Sequence, residues 1–317
     1  MNHDVLRIGT RESQLAVWQA TLVQQLLQQQ GLASELVYIK SEGDLDLITP
    51  LYELGVQGIF TKTLDTALLN NKIDIAVHSM KDVPTQLAKG IRQAAVLHRA
   101  SYKDLFIFKD KKIIDRWKLD KNTTGTLLEN SGIIATSSTR RKAQWLNRYP
   151  GHQVENLRGN INTRIRKLQE SNWDGAIFAT AGVERINLRP ENSIELDWML
   201  PAPAQGAIMI ACRDQDSATA KNCSSLNDVT TALCTRMERD FLRTLSGGCS
   251  TPISALAEMI NNKISFRGNI FSLDGKEKVE VEMLVTTDAI HTGIVAAKEL
   301  LNKGAKSIVE TIRNASK

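Results

Sequence analysis

Apolar positions in the first third of the chain alternate between short continuous runs and helical spacings. The runs predict buried strands at residues 5–10, 36–39 and 73–77. Helical spacings follow Ser13, a favoured N-cap residue, and also cover residues 59–70. The faces expected to be buried are Leu15, Trp18, Leu22 and Leu26 in the first helix and Phe60, Leu64, Ala67 and Leu68 in the second. Strands that alternate with helices in this way predict a mostly parallel sheet.

The same alternation returns beyond residue 101 and then gives way to a different pattern. The second series is predicted to contain strands at 133–135, 154–157 and 176–179 and helices at 140–149 and 160–170. An apolar run at 207–212 could return to the first sheet. The last part is predicted to contain a helix at 233–245, an antiparallel strand pair at 264–270 and 278–285, and helices at 292–301 and 305–314. We therefore expect an α/β chain in three domains: residues 1–98 with 200–220, residues 99–199, and a smaller α+β domain of residues 221–317.

Composition places the chain among globular proteins. Its 317 residues are 42% hydrophobic and 24% charged, which excludes disorder, collagen and coiled coil as the main state. No apolar run approaches the roughly 18 residues of a membrane span. The first residues also lack a basic start followed by an apolar run, so no secretory signal is predicted. We expect a cytoplasmic protein with no membrane partner.

Cysteine spacing argues against a metal or a disulfide framework. The four cysteines are Cys212, Cys223, Cys234 and Cys249, with no C-x-x-C pair and no histidine among them. We therefore expect reduced thiols and no metal site. Cys249 follows Gly247 and Gly248, which let the backbone come close to a bulky group, and it is the best candidate for covalent chemistry. A plain buried thiol is an equally good interpretation of the spacing.

Positive charge is concentrated in one stretch. The net charge is +5, and residues 140–166 hold six arginines and one lysine against a single acid, Glu155. Arginine grips carboxylates and phosphates through two parallel hydrogen bonds, although a solvated basic face would look the same in sequence. Aromatic residues are only 5%, and no RNA-binding or zinc-finger spacing is present. We therefore expect no nucleic-acid partner.

Three polar segments follow predicted strands and are candidates for a site. Arg11 lies in the first of them, and the run 134–141 repeats its arrangement before the next helix series. Backbone N–H groups at helix starts bind anions, so two such loops favour an anion-binding cleft; helix caps with exposed arginines are the alternative. In the third segment Lys81 and Asp82 end a strand, where a carboxylate could stabilise a cation, or they form a surface ion pair. His78 is expected to be a core residue or one that supports the site, and a catalytic histidine is the alternative.

Taken together, these segments resemble the porphobilinogen deaminases, also called hydroxymethylbilane synthases. The resemblance extends over nearly the whole chain, and its motifs occur in the order that the family has. The matching residues are Arg11 with Ser13, His78-Ser79-Met80-Lys81-Asp82-Val83-Pro84, Ser137-Ser138-Thr139-Arg140-Arg141, Leu157-Arg158-Gly159-Asn160 with Arg164, Ala181-Gly182 with Arg185, Pro203-Ala204-Gln205-Gly206-Ala207, and Gly247-Gly248-Cys249.

The resemblance implies a fold and a reaction. Family members have three domains, of which the first two resemble the lobes of periplasmic binding proteins around a cleft. The third carries a cysteine joined by a thioether to a dipyrromethane cofactor, and here that cysteine is Cys249. Four porphobilinogens are added head to tail with loss of ammonia, and hydrolysis releases the linear tetrapyrrole, hydroxymethylbilane. The resemblance also implies a monomer.

The resemblance further implies roles for individual residues. Asp82 is expected to be catalytic, because its charge would face the pyrrole N–H of the electron-poor azafulvene left when ammonia departs. Residues expected to hold the cofactor are Cys249, Lys81, Ser13, Ser138, Arg140, Arg141, Arg164 and Asp82. Residues expected to bind substrate carboxylates and rings are Arg11, Arg158, Arg185, Gln19 and Phe60.

Two positions depart from the family pattern. The family usually has Gly-Lys-Gly-Leu-Phe before the second helix, and this chain has Gln57 in place of the lysine. Thr-Arg-Gly-Asp is also common in the family, and this chain has Glu42 in place of the arginine. Two basic groups are therefore absent near the expected substrate loop. Two other classes remain as alternatives: a non-catalytic, two-lobed anion-binding protein, and a cysteine-dependent transferase or hydrolase that would need a histidine near Cys249.

Overall fold

A computed structural model describes residues 5–40, 61–119, 131–248 and 251–315. The expectations for Glu42, Gln57, Phe60 and Cys249 therefore lie outside the described residues. The strands are β1 (Leu6–Thr10), β2 (Ser34–Tyr38), β3 (Ile75–Ser79), β4 (Ile91–Val96), β5 (Asp104–Phe108), β6 (Ile133–Ala135), β7 (Gln153–Glu155), β8 (Gly175–Ala179), β9 (Ser193–Glu195), β10 (Ile208–Arg213), β11 (Ile253–Ile260), β12 (Lys263–Phe271) and β13 (Lys278–Thr286). The helices are α1 (Gln14–Gln29), α2 (Lys62–Leu69), α3 (Lys112–Trp117), α4 (Thr139–Arg148), α5 (Ile161–Glu170), α6 (Thr180–Arg185), α7 (Ser217–Ser224), α8 (Val229–Thr244), α9 (Thr292–Leu300) and α10 (Lys306–Ala315).

The chain divides into two compact units. The first comprises the described residues of Met1–Leu47, Val56–Ala100 and Gly206–Leu233. The second comprises those of Ser101–Gln205 and Cys234–Lys317. The expected division of this second unit into two domains stays a prediction.

The first unit is built on a five-stranded sheet in the order β2-β1-β3-β10-β4. Its first three strands are parallel, and β10 is antiparallel to both β3 and β4, so four of the five strands run in one direction. This confirms that the apolar run near residue 210 returns to the first sheet. Because β10 lies between two neighbours with helices packed nearby, its residues are almost all buried, as a central strand requires.

The buried face of α1 differs from the expected one. Trp18 is 36% exposed, and Leu22 and Leu26 only border the core. The buried positions are Ala16, Gln19, Ala20, Val23 and Leu27. The two stripes lie one residue apart and share the same helical spacing, so apolarity alone did not distinguish them. In α2 the expected burial of Leu64, Ala67 and Leu68 is confirmed.

The second unit contains a sheet with the same strand pattern, ordered β7-β6-β8-β5-β9. Strands β7, β6 and β8 are parallel, and β5 is antiparallel to β8 and β9. The sequence did not predict β5, although its five residues are all buried. Phe106 of this strand packs against Trp117 and Trp145, with ring centroids 6.1 and 5.0 Å away. This aromatic cluster fixes one face of the sheet.

The second unit also holds a smaller antiparallel sheet, β11-β12-β13. The expected pair β12–β13 is confirmed, and β11 adds a third strand that the sequence did not predict. Gly293, the second residue of α9, lies against α8, where a Cβ would be 1.9 Å from the Met237 carbonyl oxygen. Only glycine permits that approach. The two α/β sheets and the smaller α+β part confirm the expected fold class.

Neither a membrane-spanning helix nor a metal-binding cluster occurs among the described residues. None of their helices is both long and apolar enough to cross a membrane. None of their His, Cys, Asp and Glu side chains form a group of three that could hold a metal ion.

Candidate functional site

In the first unit, predicted site residues from two loops lie at one edge of the sheet. Arg11 and Ser13 follow β1, and Lys81 and Asp82 follow β3 in a short 3-10 helix. Since β1 and β3 are parallel neighbours, their carboxyl ends meet at the same edge. The Ser13 hydroxyl caps α1 by accepting a hydrogen bond from the Ala16 amide at 3.4 Å.

Gln19 is a buried residue of α1 that contacts the end of β3. It is 2% exposed, and its Nε2 donates to Ser79 Oγ at 2.9 Å. Ser79 immediately precedes the short helix that carries Lys81 and Asp82. Gln19 is therefore bonded to the base of the loop, and the substrate contact expected of it stays a prediction.

His78 is a buried, uncharged histidine. Burial lowers the pKa of His78 to about 4, and the positive charge of Arg11 adds to the effect. The imidazole is therefore neutral at pH 7 and adds no positive charge beside Arg11. Its burial agrees with the expectation of a core residue.

In the second unit, all of the predicted arginines follow the carboxyl ends of three parallel strands. Strand β6 lies between β7 and β8. Ser138, Arg140 and Arg141 follow β6, Arg158 and Arg164 follow β7, and Arg185 follows β8. Burial lowers the pKa of Arg185 to about 10. The sheet therefore gathers at one edge the cations that are scattered along the sequence.

Local hydrogen bonds hold two of these loops. Ser138 caps α4 by accepting from the Arg141 amide at 3.4 Å. Ser137 Oγ donates to the Leu157 carbonyl and so ties the loop after β6 to the loop after β7. Asn160 caps α5 and accepts from the Thr163 amide at 3.0 Å. Both helix starts expected from sequence are confirmed.

Beneath this edge lies a buried ion-pair group, Asp104 with Arg140 and Arg141, which we call the Asp104 cluster. Arg140 Nη1 is 2.7 Å from Asp104 Oδ2, and Arg141 Nη2 is 2.7 Å from Oδ1. Exposed side-chain fractions are 0% for Asp104, 5% for Arg140 and 7% for Arg141. Burial alone would raise the pKa of Asp104, but attraction to the two guanidiniums holds it well below its usual range.

The Asp104 cluster carries a formal charge of +1, from two guanidiniums and one carboxylate. Arg140 Nη1 also donates to the Leu200 carbonyl at 2.8 Å. Its Nε is buried and has no hydrogen-bond partner within the part of the chain that the structure describes. A buried donor on an unbalanced cation is a place where an anionic ligand would fit.

The first unit has a comparable group, the Asp74 cluster, formed by Asp74, Arg7, Arg213 and Asp216. Asp74 Oδ1 is 2.8 Å from Arg7 Nη2 and 3.1 Å from Arg213 Nη2. Arg213 also pairs with Asp216 at 2.8 Å, so this group is formally neutral. Burial would raise the pKa of Asp74, but hydrogen bonds from Arg7 and Arg213 lower it to about 2. No predicted site residue belongs to this cluster.

Sequence analysis missed two residues of the second site. Asp104 begins the apolar run of β5, and a lone acid beside four apolar residues was the available signal. Gln205 lay in a matched motif without a role; its Nε2 donates to Asp104 Oδ1 at 3.0 Å. Both are at most 1% exposed.

Comparison with known proteins now gives the family. Residues 6–221 match the model described as "Porphobilinogen deaminase, dipyromethane cofactor binding domain". Residues 232–302 match "Porphobilinogen deaminase, C-terminal domain". The chain belongs to the porphobilinogen deaminase family.

Relatives in this family are similar over nearly their full length. Porphobilinogen deaminase of Chlorobium phaeobacteroides (strain BS1) is 38% identical over 317 residues, covering 97% of this chain and 98% of that protein. That of Acidithiobacillus ferrooxidans (strain ATCC 53993 / BNL-5-31) is 37% identical over 314 residues, covering 98% and 99%. Among solved structures, the methionine-binding protein MetQ is 14% identical, with a TM-score of 0.43, over 70% of this chain and 89% of that one.

The family's cofactor, dipyrromethane, is a chain of two pyrrole rings that bear carboxylate side chains. The Asp104 cluster fits such a group, because it offers net positive charge and the buried Arg140 Nε. Cys249, the expected attachment point, lies outside the described residues. Gly247 and Gly248 lead to it at the end of α8.

Proposed function

We propose that this chain condenses four porphobilinogens head to tail on a covalent dipyrromethane and releases hydroxymethylbilane by hydrolysis. The observation that carries the proposal is the unbalanced positive charge of the Asp104 cluster, buried at the sheet edge where three arginine-bearing loops meet. Each added pyrrole brings two carboxylates. A site for the growing product therefore needs positive charge that the protein itself does not neutralise.

The proposed reaction forms a carbon–carbon bond and releases ammonia. Each addition breaks the bond from the aminomethyl carbon of porphobilinogen to its nitrogen, and that carbon bonds to a free pyrrole carbon. The pyrrole carbon loses its proton, and this proton together with the amino group accounts for the one ammonia released in each addition. When bound, dipyrromethane supplies the first such carbon. We assign the Asp82 carboxylate to the pyrrole N–H of the cation that forms, and Lys81 to a carboxylate of the bound chain.

The remaining assignments follow the same electrostatic logic. The cofactor carboxylates would be held by Ser13, Ser138, Arg140, Arg141 and Arg164. Backbone N–H groups at the helix starts beside the two serines would donate further hydrogen bonds to them. The carboxylates and rings of the substrate would be bound by Arg11, Arg158, Arg185, Gln19 and Phe60. We further propose a cytoplasmic monomer without a nucleic-acid or membrane partner.

The intact mass of the purified protein tests this function against the alternatives. A deaminase should exceed its sequence mass by two linked pyrrole units, because its cofactor is covalent. Cys249→Ser should remove the excess, whereas Cys234→Ala, at a buried thiol, should retain it. A non-catalytic anion-binding protein would carry no adduct. An unmodified wild-type chain that still produced hydroxymethylbilane would contradict the covalent cofactor.

A further inference from the structure

Gln205 is a buried amide that contacts the Asp104 cluster without belonging to an ion pair. It is 1% exposed, and its Nε2 donates to Asp104 Oδ1 at 3.0 Å and to the Tyr102 carbonyl at 2.7 Å. Arg141 donates to the same Oδ1 through Nε at 3.0 Å and Nη2 at 2.7 Å. Arg140 pairs with the other carboxylate oxygen. Oδ1 therefore accepts three hydrogen bonds, one of them from Gln205.

The backbone beside Gln205 is held in an unfavourable conformation. Ala204 has φ of +61°, in the left-handed region that a non-glycine residue adopts only under constraint. The constraint comes from Glu238, which is fully buried on α8. Its Oε2 accepts from the Ala204 amide at 2.6 Å, and its Oε1 accepts from the Ala257 amide at 2.8 Å. The fold thus maintains strain at Ala204, and in this conformation Gln205 reaches Asp104.

The chemical type of residue 205 matters as much as its position. A carboxamide donates a hydrogen bond to Asp104 and leaves the charge of the cluster at +1. An ionised carboxylate there would bring the charge to zero, which is the situation that Asp216 creates in the Asp74 cluster. Asp104 therefore gains its third donor from a group that leaves the positive charge for a ligand.

We propose that Gln205 is a positioning residue that orients Asp104 and preserves the net positive charge with which Arg140 and Arg141 bind the carboxylates of the dipyrromethane. This inference rests on the proposed function. Gln205 would act on the cofactor only through Asp104. The hydrogen bond between Glu238 and the Ala204 amide holds the backbone next to Gln205.

The test measures cofactor loading, the fraction of chains that carry the covalent adduct by intact mass after incubation with porphobilinogen. Gln205→Glu should lower that fraction about tenfold, because the added carboxylate neutralises the cluster. The double variant Gln205→Glu with Asp104→Asn exchanges carboxylate and amide and restores the charge. It should recover at least a third of wild-type loading. Gln24→Glu is the matched control: its amide donates to the Ser34 carbonyl in the first unit, and loading should not change.

Gln205→Met guards against a folding defect in the first variant. It removes the donor but keeps the charge, so loading should fall less than in Gln205→Glu even where the melting temperatures of the two variants fall equally. Wild-type loading in Gln205→Glu, or a double variant no better than Gln205→Glu, would overturn the inference alone. A wild-type chain that carried no adduct would overturn the proposed function and this inference with it.

Discussion

The two α/β sheets have one strand pattern but bury their charges differently. Each places an aspartate between two arginines. In the Asp74 cluster the arginine side chains, Arg7 and Arg213, are 22% and 19% exposed and a second carboxylate balances them. In the Asp104 cluster both guanidiniums are at most 7% exposed, and a single carboxylate pairs with them among the residues that the structure describes.

This difference is the basis for our proposal that the Asp74 cluster is structural and that the Asp104 cluster binds a ligand. Burying charge costs several kcal/mol per ion unless partners compensate it. In the Asp74 cluster two carboxylates compensate the two arginines, and the exposed parts of both arginines are also hydrated. The Asp104 cluster meets this condition only in part, because one carboxylate pairs with two guanidiniums. The proposed anionic ligand would supply the remaining compensation.

The largest effect is expected from removing the shared carboxylate of each cluster. Asp104→Asn leaves two buried guanidiniums uncompensated and should lower the free energy of unfolding by about 4 kcal/mol. Asp74→Asn should cost about 2 kcal/mol, because Arg7 can be hydrated and Arg213 keeps Asp216. Urea unfolding of both variants at pH 7 measures the two losses. Equal losses would contradict the distinction between the clusters.

The second effect concerns His78, a buried neutral histidine near Arg11. Its pKa is about 4 when folded, against about 6.5 in an unfolded chain. Between these values the unfolded chain binds the proton and the folded chain does not, so stability must fall as the pH falls from 6.5 to 4. The loss should reach about 3 kcal/mol.

Replacing His78 isolates this contribution from other titrating groups. His78→Asn should show about 3 kcal/mol less acid destabilisation than wild type between pH 7 and pH 4. Identical pH profiles for wild type and His78→Asn would show that the imidazole is not held neutral.

The smallest effect should come from the carboxylate that balances the Asp74 cluster. Asp216→Asn leaves the cap of α7 in place, since asparagine also accepts from the Thr219 amide, and changes only the charge. Because Asp216 and Arg213 reach solvent, the cost in unfolding free energy should stay below about 1 kcal/mol. A loss comparable with that of Asp104→Asn would mean that exposure does not separate the two clusters.

Sequence patterns predicted the elements whose signals are local. Ser13, Ser138 and Asn160 each cap the helix that the spacing predicted, because a cap bonds to an amide three residues away. Strands β4, β5, β9 and β11 were missed. A short buried run in an otherwise charged or irregular stretch has no periodicity to mark it. The buried face of α1 was wrong by one residue because two stripes had equal spacing.

The sequence alone therefore determined the alternation of strands and helices that marks an α/β chain, the family through its motifs, and the strand ends from which most candidate side chains extend. The tertiary structure decided which of those charges meet. Asp104 is 37 residues from Arg141 and 101 from Gln205, and these side chains are joined only because the sheet and its crossover bring them together. Local spacing carries no information about neighbours across a sheet. One buried carboxylate meets two guanidiniums only because β5 pairs with β8 in the folded sheet. Arg141 of α4 then donates hydrogen bonds to Asp104 of β5 and to the Ile177 carbonyl of β8.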